Sequence, residues 1–342
     1  MVVKINRSDD SPETKAIDVS YRATTNDTKP TVSIVCPFYN ESGIVHAFYA
    51  ALRDKLDQLP DHLFEIVCVD DGSSDQTLDE LLELSAQDRR IRVVELSRNF
   101  GKEAALSAGL DVARGDFVIT IDADLQDPPE LIRQLLEARN ESDADVVLAQ
   151  RIDRRHDSRA KRATASAYYS VHNWLSPVKI PRNVGDCRLM TRQVVEALSG
   201  LPETQRFMKG LFAWVGFRTV AIEYQREPRF SGRSKFSWRR LWNFGIEGIT
   251  SFSTLPLRIW MYIGMTGAFV TLCYAVYFVF RTLMHGVDVP GYASLLVSIL
   301  FFGSLQLIGL GVLGEYVGRI YTESKRRPTY LVRKIHGLER KS

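Results

Sequence analysis

Cysteine is scarce in this 342-residue chain and poorly placed for bridging. Cys36, Cys68, Cys187 and Cys273 stand far apart, with no C-x-x-C spacing and no nearby histidine pairing. That excludes a disulfide scaffold and argues against zinc, leaving isolated buried thiols. The N-terminus lacks a charged-then-apolar leader, so the large domain behind it is expected to stay in the cytosol. A basic globular body is missing too: residues 1–225 carry 28 Lys and Arg against 35 Asp and Glu, so no nucleic-acid partner is expected. Disorder is excluded by composition, 45% hydrophobic and 25% charged, while the length calls for one large domain plus something more.

What is present is a change of sign in the charge where long apolar runs begin. Residues 226–258 hold seven basic and two acidic side chains, and residues 319–342 hold eight and two. Between them lie two charge-free runs, 259–280 and 289–314. At about 1.5 Å per helical residue the shorter run reaches roughly 33 Å, enough for a bilayer core. The bland alternative is a pair of buried helices in a soluble protein. Spans at about 259–280 and 290–314 form a helical hairpin with both basic flanks on the cytoplasmic side. Residues 236–256 bring Trp238, Leu241, Trp242, Ile246 and Ile249 at helical spacing beside Arg239 and Arg240, which predicts amphipathic helices at the headgroups over 236–257.

Upstream, residues 1–30 read as a polar tail, and strand and helix signals alternate from Thr31 onward. Strands are expected at 32–36, 65–69, 91–96, 117–121 and 145–149, with helical patterns such as 77–87 and 129–138 between them. The pattern predicts a Rossmann-like α/β domain over 31–235, a mostly parallel sheet with helices on both faces. Ligands bind such sheets at the strand ends. Residues 319–342 read as a basic cytosolic tail.

Acidic residues gather at those ends. Asp122-Ala123-Asp124 closes the strand from Phe117, and in an extended chain positions i and i+2 face the same way. Two hard oxygen ligands suit a divalent cation, Mg2+ or Mn2+, that also holds phosphates. Asp70-Asp71-Gly72-Ser73-Ser74-Asp75 ends another strand; it reads as a turn and helix cap, or as a carboxylate for a uracil imide or a ribose hydroxyl. Pro37-Phe38-Tyr39-Asn40-Glu41 adds a wall beside it.

Together with 97–102 (SRNFGK), 185–190 (GDCRLM), 206–210 (RFMKG) and 227–235 (EPRFSGRSK), these motifs resemble the inverting family 2 glycosyltransferases of the GT-A fold. The similarity is to the polyisoprenyl-phosphate branch, the bactoprenol glucosyltransferases and relatives of dolichyl-phosphate mannose synthase. It covers about residues 32–325; the N-terminal tail has no counterpart, and Cys187 stands where an aromatic is common.

The resemblance implies that Pro37, Tyr39, Glu41, Asp71 and Asp122 bind the sugar nucleotide. It implies a metal on Asp122, Asp124 and Gln126, and a catalytic carboxylate at Asp186 with Asp124 assisting. Arg151, Arg162, Ser166, Arg188, Arg229, Ser234 and Lys235 would meet the acceptor phosphate. The implied donor is a UDP-sugar, with glucose first, and the acceptor is undecaprenyl or another polyprenyl phosphate. The implied enzyme is a homotetramer, multi-pass in the inner membrane with catalytic domain and termini cytoplasmic. Two other readings are a processive polysaccharide synthase, which would carry Q-x-x-R-W and more spans, and a non-catalytic adaptor, which would be expected to lose the aspartates.

Overall fold

The computed structural model describes residues 29–152, 184–204, 206–225, 255–285 and 291–337. The first half follows the expected alternation: β1 (Thr31–Phe38), α1 (Val45–Leu56), β2 (Leu63–Asp70), α2 (Thr77–Gln87), β3 (Ile91–Leu96), α3 (Lys102–Val112), β4 (Phe117–Thr120), α4 (Leu131–Ser142) and β5 (Val146–Arg151). Then come β6 (Val184–Thr191), α5 (Arg192–Ser199), α6 (Met208–Trp214) and β7 (Thr219–Tyr224). Two long helices follow, α7 (Leu255–His285) and α8 (Tyr292–Ser324), and a last strand, β8 (Val332–His336).

One eight-stranded sheet runs in the order β7-β5-β6-β4-β1-β2-β3-β8. Its central strands are rich in Val and Ile because both faces are covered. Val45, Phe48, Leu52, Leu81, Leu131 and Leu135 from α1, α2 and α4 pack on one face. Leu106, Val194, Leu198, Met208 and Leu211 from α3, α5 and α6 pack on the other. Helix α3 buries a small-residue face; a Cβ on Gly109 would overlap Val35 and lie 3.1 Å from Val69 Cγ2. That close approach seats the later part of α3 on β1 and β2.

The sheet is mostly parallel, as expected, with two antiparallel strands that make it mixed. Six strands share one direction, but β6 is antiparallel to β4 and β5, and β8 is antiparallel to β3. Strand β8 comes from the stretch read as a basic tail. Ser97 donates its N–H to Leu331 O at 2.9 Å, the Tyr330 hydroxyl bonds Asp111, and Arg333 and His336 both reach the Glu95 carboxylate at 3.1 Å. Chain beyond the long helices therefore completes the edge of the α/β domain.

Helix α8 continues past the expected span end at Gly314 to Ser324. Among the described residues, one helical stretch, Phe301–Ser324, is long and apolar enough to cross a membrane by length and composition; Ile259–Tyr274 is a shorter apolar helix. Leu283 is 78% and Leu307 70% exposed, so these helices do not form a buried core pair. They touch where the Trp260 indole lies against Gly309. The amphipathic stretch expected over 236–257 lies outside the described residues up to its last three, which begin α7.

Candidate active site at the strand ends

The parallel register sets Phe38 beside Asp70, so the loops after β1 and β2 leave the sheet together. Asn40 adopts a left-handed conformation (φ 52°) and ties the loops, its N–H donating to Ser73 Oγ at 3.0 Å and its Oδ1 accepting from Ser74 N–H at 2.8 Å. The Glu41 N–H donates to Thr77 Oγ1 at 2.9 Å. Asp71 accepts the N–H groups of Phe100 at 2.7 Å and Gly101 at 2.9 Å, joining a third loop. Burial raises the Asp71 carboxyl pKa against these two bonds. A Cβ on Gly72 (φ 66°) would lie 2.6 Å from Asn99 N, which explains glycine there. Pro37, the exposed ring of Tyr39, Glu41 and Asp71 thus share one edge, though both Asp71 oxygens already serve the backbone.

Strand β4 ends at Thr120 and Asp124 stands in the turn that begins after Asp122, so the alternation argument for their common direction does not apply. Tertiary pairing places Asp122 instead. Thr120 is opposite Arg188 at the end of the antiparallel β4–β6 ladder, which brings the chain just past β4 close to Asp186. The Thr120 hydroxyl donates to the Asp186 carbonyl. Lys102, the first residue of α3, bridges the two carboxylates, with Nζ 2.7 Å from Asp122 Oδ1 and 2.5 Å from Asp186 Oδ2. Lys209 Nζ lies 3.8 Å from the other Asp186 oxygen. Burial works to raise the Asp186 pKa, but Lys102 and Lys209 outweigh it and hold the carboxyl well below its usual range. Burial also raises Asp122, which Lys102 only partly offsets. Glu103 is pushed up to about 7, by burial first and then by the Asp186 charge.

Asp124 Oδ1 accepts the Gln126 N–H at 3.1 Å across a turn in which Leu125 has φ 56°. Arg151 Nε donates to the Tyr224 hydroxyl at 3.2 Å, and that hydroxyl donates to Asp127. Arg188 does not stand open to an acceptor. It is 2% exposed, its Nη2 donates to Gly185 O at 2.9 Å, and its guanidinium carbon lies 3.7 Å from the Phe212 ring centre. Burial pulls its pKa down to about 10. Arg162, Ser166, Arg229, Ser234 and Lys235 lie outside the described residues.

Lys102, Glu103 and Lys209 had no role in the sequence reading, although two of them lie inside its motifs. The available signal was a lysine directly after Gly101 at a helix start, where a cation opposes the helix dipole and so wants a carboxylate partner.

Among the described residues no group of three or more His, Cys, Asp or Glu forms a metal centre. The donor types nonetheless fit a divalent cation, since two carboxylates and an amide follow one another at Asp122, Asp124 and Gln126. The Lys102 ammonium between Asp122 and Asp186 shows that this locus already holds a positive charge.

Comparison with known proteins places this arrangement. Residues 33–199 match the family model of Glycosyl transferase family 2. An uncharacterised glycosyltransferase of Synechocystis sp. is 51% identical over 90% of this chain and 96% of its own length. The SfII prophage-derived bactoprenol glucosyl transferase of Shigella flexneri is 50% identical over 89% of this chain and 98% of its own. A prophage bactoprenol glucosyl transferase homolog of Escherichia coli K12 is 48% identical over 89% and 99%. Among solved structures, a mannosyltransferase of Pyrobaculum calidifontis gives a TM-score of 0.46 at 18% identity over 85% of this chain and 88% of that one, too distant for residue correspondence. With about half of the aligned residues identical to such relatives over nine-tenths of its length, the chain belongs to glycosyltransferase family 2.

Proposed function

We propose that the protein transfers glucose from UDP-glucose to the phosphate of a polyprenyl lipid, undecaprenyl phosphate first, with inversion at the anomeric carbon. The observation that carries this reading is the 50% identity to a bactoprenol glucosyl transferase across 98% of that protein. A match over 89% of this chain leaves too few residues outside to omit both long helices, so the likeness reaches beyond the α/β domain.

In this reading Pro37, Tyr39, Glu41 and Asp71 hold the uridine, and Asp122, Asp124 and Gln126 would hold Mg2+ or Mn2+. A divalent cation there supplies neutralisation of charge on the departing diphosphate. The acceptor phosphate, with a second pKa around 6, is largely ionised at neutral pH and needs little deprotonation. Asp186, kept ionised by Lys102 and Lys209, is a weak base. Its part is to orient the acceptor beside Asp122. Arg151, Arg162, Ser166, Arg229, Ser234 and Lys235 bring the acceptor phosphate in against the repulsion of the donor.

The same reading makes α7 and α8 a membrane hairpin, supported by the Trp260–Gly309 contact and the exposed apolar surface. It keeps the catalytic domain and both termini in the cytoplasm and assembles the enzyme as a tetramer. The deciding experiment incubates detergent-purified protein with radiolabelled UDP-sugars and undecaprenyl phosphate. Chloroform-soluble product from UDP-glucose supports the assignment; product from another UDP-sugar alone overturns the sugar, long polymer overturns the reaction class, and no product overturns both.

A further inference from the structure

We propose that Lys102 is a built-in competitor for the divalent cation, holding Asp122 and Asp186 together until the metal takes its place on Asp122. The inference rests on the divalent-metal reading above. Its ground is geometric. The ammonium lies 2.7 Å and 2.8 Å from the two Asp122 oxygens, so both are engaged, and 2.5 Å from Asp186. A cation binding to Asp122 must therefore displace it or share the carboxylate at the cost of like-charge repulsion. The exchange is feasible because the Lys102 side chain is 45% exposed and flexible. Asp186 does not become an isolated charge, since Lys209 remains 3.8 Å from its second oxygen. Lys102 is thus a positioning residue, and metal loading frees its charge beside the place where two phosphates would meet.

The test titrates Mn2+ by electron paramagnetic resonance, without donor, against wild type, Lys102→Met and Lys102→Arg in detergent. Methionine keeps the length and the helix preference and removes the charge. Lys102→Met should bind Mn2+ about tenfold tighter or more, the scale set by one adjacent like charge, while Lys102→Arg should not. Equal or weaker binding by Lys102→Met overturns the proposal. If no variant binds Mn2+ with or without UDP, the metal reading itself fails, which is a different result. Wild type gives an independent readout: Mg2+ should speed amine-reactive labelling of Lys102, followed by mass spectrometry against a matched NaCl control. An unchanged or slower rate overturns the displacement.

Discussion

Asp71 accepts the backbone N–H of Gly101 at 2.9 Å, from a loop thirty residues further along the chain. Its other oxygen takes the Phe100 N–H, so one carboxylate fixes the turn from which α3 and Lys102 start.

Asp71→Ala should therefore act in two ways. Leaving two N–H groups without their acceptor should cost about 1–3 kcal/mol, read as a lower Tm in detergent. UDP affinity should fall as well, because the donor loop loses its anchor. Isothermal titration checks the second effect, and unchanged affinity would remove Asp71 from the nucleotide site. Gly72→Ala should be at least as damaging, since its Cβ would strike the backbone at Arg98 and Asn99.

Asp186→Ala tests the acceptor side. Turnover should collapse while UDP-glucose affinity changes little, because the residue faces Lys102 and Lys209 rather than the β1–β2 loops. Equilibrium binding and single-turnover rates separate the two. A variant that turns over normally when saturated but binds donor poorly would reverse the assignment.

The contact between α7 and α8 can be tested by size. A Cβ at Gly309 would run into the Trp260 indole, lying 2.8 Å even from Cδ1. Gly309→Leu should destabilise the protein by about 1–3 kcal/mol through overpacking. Trp260→Ala in the same chain should recover part of that loss, since the two changes share one volume. Additive losses in thermal unfolding would mean that the helices do not meet there.

Acid sensitivity should centre in part on Asp88. Its carboxylate receives the Tyr49 hydroxyl at 2.7 Å and the Arg90 backbone N–H at 2.9 Å, and it pairs with the Arg90 guanidinium at 2.8 Å. Burial would raise its pKa, but the bonds from Arg90 and Tyr49 win and lower it. A carboxyl with a lowered folded pKa stabilises above its unfolded value, near 3.9, and loses that contribution as pH falls through the folded one. Asp88→Asn should thus lower Tm at pH 7, with the gap to wild type closing toward pH 3. A gap independent of pH would show that the loss is steric.

Strand and helix order up to β5 was legible because burial imposes a local period on the chain: the β1, β2 and β3 runs lie within two residues of their expected ends. So were the two long helices, for a charge-free run advertises itself, and so were the acidic strand ends. Pairing between distant segments has no such local signature. Whether β6 runs with or against β4 cannot be read from Val184–Thr191 alone, yet that direction and register bring Asp186 to the end of β4, where Lys102 bridges it to Asp122. The capture of β8 by β3 across the two long helices is of the same kind, because an edge strand accepts a partner through backbone groups that every sequence carries. Arg188 makes the point for side chains. The residues around it name a basic group beside the site, and only the packing of Phe212 over its guanidinium takes that group out of reach of a phosphate.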